Sequence, residues 1–181
     1  MACYFHTGTI KSQDVDIIVD FETLNQIKKD FQVKKNSILK KYETLYNDTS
    51  IVIYVPYYSN FALSFDSITK NTVKRQGITI PKPEIILILK QQAELERKGS
   101  TKGQKDRVDI LNILIKSDIN MKRYLLLVKE YNLKEYMKRL ETIIKTSKTE
   151  FEYLGITNPR KIRLIKKKLM EILTSAKTEV F

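Results

Sequence analysis

The rhythm of apolar and polar positions changes several times along this chain. Val15, Ile17, Ile18 and Val19 form a short β-branched run behind Asp14 and Asp16, which predicts a buried strand over 14–20. Over 21–45 the apolar residues Leu24, Ile27, Phe31, Ile38, Leu39 and Leu45 recur near helical spacing. That predicts helix, with an interruption at Phe31-Gln32-Val33. Asn47-Asp48 is a turn signal. A second run of β-formers, IVIYVPYY, occupies 51–58, and its Pro56 marks an edge strand or a strand end. A further strand is expected over 61–65 and a short one over 78–80. From Pro83 onward the period is helical, with segments over 83–98, 105–117, 119–131, 133–148 and 159–177. Asn158-Pro159 supplies an N-cap and a first-turn proline for the last of these, and Gly155 breaks the chain before it.

These elements predict an α+β fold, a small mixed β-sheet with flanking helices followed by a helical C-terminal half. The division falls at 1–82 and 83–181. With 181 residues and 42% hydrophobic content, the chain has enough apolar surface for a core. One cysteine and one histidine exclude an internal disulfide framework and any zinc-ligand spacing. No apolar run approaches the roughly 18–20 residues of a membrane span, and the first residues lack signal-peptide character. A cytoplasmic protein with no membrane partner is expected. Net charge is +12, from 33 Lys and Arg against 21 Asp and Glu. Such an excess attracts polyanions. A Lys-, Ile- and Glu-rich composition without Trp also fits plain surface lysine, so the charge alone names no partner.

The chemistry concentrates at two places. Asp14 and Asp16 sit at i and i+2 of a strand, so both carboxylates face one side. Such a pair suits a hard cation, Mg²⁺ (or Mn²⁺), with substrate phosphates completing its shell. Thr7-Gly8-Thr9-Ile10-Lys11-Ser12, just upstream, is a small hydroxyl-rich loop able to bond phosphate oxygens. The second place is 80–110. Lys90 and Arg97 lie two helical turns apart on one face, and Asp106 and Asp109 share a face of the next helix, expected to open at Lys105. Two cations opposite two carboxylates either bind a charged ligand or form an ion-pair clamp between adjacent helices.

In order along the chain stand Asp14-x-Asp16, then Leu89-Lys90-Gln91-Gln92-Ala93-Glu94-Leu95-Glu96-Arg97, then Lys105-Asp106-Arg107-Val108-Asp109. Together they resemble the nucleotidyltransferase fold, in particular its AbiEii-type branch, the toxin component of abortive-infection systems. The resemblance spans roughly 5–115. It implies that Asp14 and Asp16 hold Mg²⁺ against a nucleoside triphosphate and that Thr9, Lys11 and Ser12 lie near the phosphates. It further implies that Lys90, Arg97 and Lys105 neutralise triphosphate charge, while Asp106 or Asp109 orients or deprotonates the acceptor. The implied activity is transfer of NMP from an NTP to an RNA (such as tRNA) or protein acceptor, and the implied partner is an antitoxin. Two features depart from the family pattern. No Gly-Gly or Gly-Ser turn precedes the Asp pair, and Val52 occupies the slot where a third carboxylate belongs. The alternative is therefore a catalytically degenerate module that binds nucleic acid or a protein partner.

Three lesser features complete the reading. Tyr54, Tyr57, Tyr58 and Phe61 surround Pro56, as a base-stacking platform or as packing. His6 reads as polar surface, or as an acid/base group, and Cys3 as packing. The last helix carries Lys161, Arg163, Lys166, Lys167 and Lys168, with Ile162, Ile165, Leu169, Ile172 and Leu173 as its apolar stripe. Its cations face outward, as solvated surface or as a nucleic-acid-binding face.

Overall fold

The computed structural model describes residues 2–9 and 14–181. The chain forms two compact units, one built from 9–61 and the other from 2–8 together with 62–181. Helix α1 (Ala2–Thr7) belongs to the second unit.

The first unit holds a four-stranded mixed sheet. Strand β1 (Asp14–Ile18) is followed by helix α2 (Phe21–Asp30), then β2 (Lys34–Asn36), β3 (Lys41–Tyr46) and β4 (Thr49–Tyr54), in the spatial order β1-β4-β3-β2. β1 and β4 run parallel, and the other pairs are antiparallel. Asp20 starts α2 by accepting a 2.7 Å hydrogen bond from the Thr23 amide. Leu24, Tyr42, Ile53 and Val55 form the core, with Ile17, Ile27 and Ile51 against them. Because Ile17 points into that core, Asp16, its neighbour, points to the opposite face, as does Asp14.

Helix was expected over 21–45 and ends at Asp30. Phe31 is extended and closes α2, and the rest of the stretch forms the β2–β3 hairpin and β3. The helical spacing of Ile38, Leu39 and Leu45 was coincidental, since all three are exposed. Asn47 and Asp48 both take positive φ, 44° and 61°, giving the turn of a β3–β4 hairpin. Pro56 lies beyond β4, which is central in the sheet, so the proline marks a strand end.

The second unit contains α3 (Phe65–Lys70), a two-stranded ribbon of β5 (Thr72–Arg75) and β6 (Ile78–Pro81), and the helices α4 (Pro83–Glu96), α5 (Thr101–Lys116), α6 (Met121–Glu130), α7 (Lys134–Thr146), α8 (Thr149–Tyr153) and α9 (Pro159–Val180). The strand expected over 61–65 is absent. Ser64 instead caps α3, accepting from the Ser67 amide at 3.1 Å. α4 is the central helix. Ile85, Ile86, Leu87 and Ile88 are all buried in succession, which only a helix covered on every side permits. It packs against α1, α5, α6 and α7. α9 buries Leu169, Leu173, Ala176 and Val180 at spacings of four, three and four. Ile172, expected in that stripe, is exposed because the buried line runs one residue to its side.

Candidate functional site

Asp14 and Asp16 are both exposed on the face of β1 away from the core. Their in-register partners on β4 are Ser50 and Val52. Val52 is itself in register with Glu43 on β3, so one row across the sheet reads Asp16, Val52, Glu43. Adjacent strands are about 4.8 Å apart, which puts Glu43 about 10 Å from Asp16, too far to share one ion bound at about 2.1 Å. Glu43 is paired instead with Lys41 at 2.8 Å. Among the described residues, no group of three or more His, Cys, Asp and Glu side chains gathers as a metal cluster. Two carboxylates beside a serine nevertheless fit Mg²⁺, which takes one or two carboxylates and fills its shell from water and substrate phosphates. Thr9 is partly buried, and Lys11 and Ser12 lie outside the described residues.

The second cluster is set by the turn between α4 and α5. Ser100 caps α5, accepting from the Gly103 amide at 3.1 Å and donating to the Arg97 carbonyl at 2.7 Å. The turn is tight enough that a Cβ on Gly103 would stand 2.3 Å from the Arg97 carbonyl oxygen. α5 begins at Thr101, a turn earlier than the expected Lys105, because Ser100 provides the cap. Asp106 and Asp109 therefore sit beyond the first turn, where the helix dipole has little hold. Lys90 Nζ lies 2.6 Å from Asp109 Oδ2 and 3.6 Å from Asp106 Oδ1. Arg97 Nη2 lies 2.8 Å from Asp106 Oδ2, an ion pair outside hydrogen-bonding geometry. The four side chains thus converge as a clamp across α4 and α5, with Lys105 exposed beside it.

The clamp perturbs its members. Burial works against the charge on Lys90, but Asp109 and the neighbouring groups outweigh it and hold the ammonium above the ordinary lysine range. For Asp106 the balance goes the other way: burial raises its carboxyl despite Lys90 and Arg97. Cys3, buried near Lys90 and Asp109, has its thiol pushed up to about 11, chiefly by burial, so it packs as a neutral group.

A deeper network adjoins the clamp. Glu94 lies four residues after Lys90 and three before Arg97, and its side chain is 1% exposed. Arg139 of α7 grips both its carboxylate oxygens, Nε at 2.8 Å and Nη2 on the other. Arg107 of α5 reaches it at 4.0 Å and also pairs with Glu150 of α8, while donating to Thr146 and Ser147 at 3.0 and 3.2 Å. Nearby, buried Gln91 donates to the Tyr136 carbonyl at 2.7 Å and accepts from the Tyr124 hydroxyl at 2.7 Å. The sequence offered one signal for this network, a glutamate on the Lys90–Arg97 face of α4. Arg139 and Glu150 carried none, since Arg139 is one charge among many on α7 and Glu150 sits on a five-residue helix the periodicity does not mark.

Burial raises the Glu150 carboxyl, but Arg107 and backbone amides overcome this and hold it below the ordinary glutamate range. Its stabilising contribution is therefore full above that range and drains as pH falls toward the depressed value. Asp106, raised, has the opposite slope. Melting temperature measured against pH is expected to fall below about pH 5 in the native chain, near the reference carboxylate range. Glu150→Gln is expected to start lower and lose less across that window. An unchanged acid limb in the variant would refute the assignment.

The other expected residues separate. Lys161, Arg163, Lys167 and Lys168 are exposed on α9, with Lys167 3.8 Å from Glu171. Lys166 does not face outward. Burial lowers its ammonium, which donates to the Lys145 carbonyl at 2.9 Å and lies 5.7 Å from the centre of the Phe151 ring. The aromatic residues near Pro56 form no single platform: Tyr54 packs on Phe61, Tyr58 on Tyr42, and Tyr57 is fully exposed. His6 is held rather than free at the surface, with Nε2 2.8 Å from the Pro81 carbonyl.

No family model, curated protein or solved structure matches this chain. Among the described residues, no helix is long and apolar enough to cross a membrane.

Proposed function

We propose that this chain is a metal-dependent, nucleotidyltransferase-like protein that takes NMP from an NTP to an RNA or protein acceptor. The observation that carries the reading is the Asp14–Asp16 pair, exposed together on one face of a sheet strand with Ser50 in register with Asp14. Asp14 and Asp16 would hold Mg²⁺ (or Mn²⁺). When bound, the ion supplies neutralisation of phosphate charge, which such transfer needs more than it needs covalent chemistry. The two carboxylates project from a paired strand, so they are oriented before any ligand arrives. The exposed cations of α9 offer a surface for a nucleic-acid acceptor. The clamp residues keep the roles the resemblance implies, tested separately: Arg97→Ala that weakens nucleotide binding at an unchanged melting temperature supports a ligand role.

A specific observation favours the second reading, a catalytically degenerate module of the same fold that binds nucleic acid or a protein partner such as an antitoxin. Val52 stands beside Asp16, and the next carboxylate on that row, Glu43, is occupied by Lys41. Calorimetric titration with ATP or CTP in the presence of Mg²⁺ or Mn²⁺ separates the two. The enzyme reading expects binding that Asp16→Ala removes, together with transfer of labelled NMP to tRNA or protein. Binding without transfer, or no binding to any nucleotide, supports the module.

A further inference from the structure

The first unit carries a surface that the nucleotide reading leaves unused. The β2–β3 hairpin presents Ile38 and Leu39 at its tip, 92% and 60% exposed. They are held outward. The Asn36 side chain accepts a 2.9 Å hydrogen bond from the Leu39 amide, and the Tyr58 hydroxyl donates to the Asn36 carbonyl at 3.1 Å. Lys40 closes the turn at φ 50°. Two adjacent aliphatic side chains fixed in water this way lose the burial that the core offered to their neighbours.

Cations ring that tip. Lys34 and Lys35 precede it, and Lys40 and Lys41 follow it. Lys35 and Lys40 sit over the Tyr58 ring at 4.8 and 5.5 Å, and Lys28 sits over Tyr42 at 5.0 Å. Residues 28–43 hold six lysines against two carboxylates, and one of those carboxylates, Glu43, is paired with Lys41. The ring contacts fix where the ammonium groups stand, so the charge is positioned as well as present.

We propose that this hairpin docks on an anionic lipid surface, with Ile38 and Leu39 entering the headgroup layer and Lys34, Lys35 and Lys40 meeting lipid phosphates. An aliphatic tip inside a ring of cations is complementary to that surface, apolar below and negative above. A nucleic acid would use the cations but not the tip, because isoleucine and leucine offer no flat face for a base. The Tyr58 ring beside the hairpin already has Lys35 and Lys40 over it. The surface is not a spanning segment, and it holds whether or not the chain transfers nucleotides.

Co-sedimentation with phosphatidylcholine vesicles, with and without phosphatidylglycerol, tests this. The protein is expected to pellet with the anionic vesicles and to stay in solution with the neutral ones. Raising salt from about 0.1 to about 1 M shrinks the screening length from about 10 to about 3 Å and is expected to release it. Ile38→Asp with Leu39→Asp is expected to weaken partitioning roughly tenfold or more. The chain has no tryptophan, so Ile38→Trp places one fluorophore at the tip. Its emission is expected to shift to the blue with anionic vesicles alone. Failure to pellet with anionic vesicles, equal partitioning of the aspartate variant, or an unshifted emission from the Ile38→Trp variant would each overturn the proposal. So would tRNA binding that the aspartate pair weakens as strongly, which would assign the hairpin to nucleic acid.

Discussion

Glu94→Ala is expected to destabilise the protein by about 3–5 kcal/mol, the usual cost of removing one partner from a buried ion pair. At about 2–4 °C per kcal/mol for a chain of this length, the melting temperature drops by roughly 6–20 °C. The reason is what remains. Arg139 and Arg107 keep side chains only 15% and 14% exposed, and without Glu94 the Arg139 guanidinium loses the carboxylate it grips while Arg107 retains Glu150. Arg139→Met should also cost several kcal/mol, by leaving buried Glu94 only the 4.0 Å contact with Arg107. The double variant Glu94→Leu with Arg139→Met is expected to recover much of the loss, because apolar packing replaces a pair whose desolvation offset its attraction. Urea and thermal unfolding of the set check this. A loss under about 1 kcal/mol for Glu94→Ala would mean that water reaches the arginines.

The second large effect opposes a common rule. Alanine in place of a helical glycine ordinarily stabilises by about 1 kcal/mol, yet Gly103→Ala is expected to destabilise by about 2–3 kcal/mol. The added Cβ would stand 2.3 Å from the Arg97 carbonyl oxygen and 3.0 Å from its carbonyl carbon, both backbone atoms that no rotamer change can move. Relief requires opening the α4–α5 turn, which pulls Arg97 away from Asp106 and disturbs the Ser100 cap. A variant that melts at or above the native temperature would show that the turn yields cheaply.

What could be read in the sequence depended on how local its cause was. The α+β class, β1, β4 and the helices after Pro83 other than the short α8 followed from runs of a single period. The 90–109 cluster was legible because its cations and carboxylates are close in sequence, although the sequence left open whether they bind a ligand or pair with each other. The expected start of α5 at Lys105 missed Ser100, whose cap opens the helix a turn earlier. The 21–45 stretch failed for a different reason. Lysines at 34, 35, 40 and 41 with aliphatics at 38 and 39 mimic an amphipathic helix, and only pairing with β4, a non-local event, settles it as sheet. The links from Glu94 to Arg139 and from Arg107 to Glu150 span more than forty residues each. Such partners are chosen by tertiary packing, which one sequence does not display.

Helix α1 is made well before the helices that pack against it, α4 and α5. Thr7 accepts a hydrogen bond from Asn112 at 3.0 Å and His6 meets the Pro81 carbonyl, across separations of 105 and 75 residues. At the roughly 5–20 residues per second of protein synthesis, Thr7 precedes Asn112 by about 5–20 s. Well before that interval ends the first unit has been made in full, while α1 still lacks the helices it packs against. Cys3, buried and neutral in the finished fold, is then an uncovered thiol on a six-residue helix. The helical unit thus captures a segment made long before the helices that cover it, and that segment stays unprotected until α5 is complete.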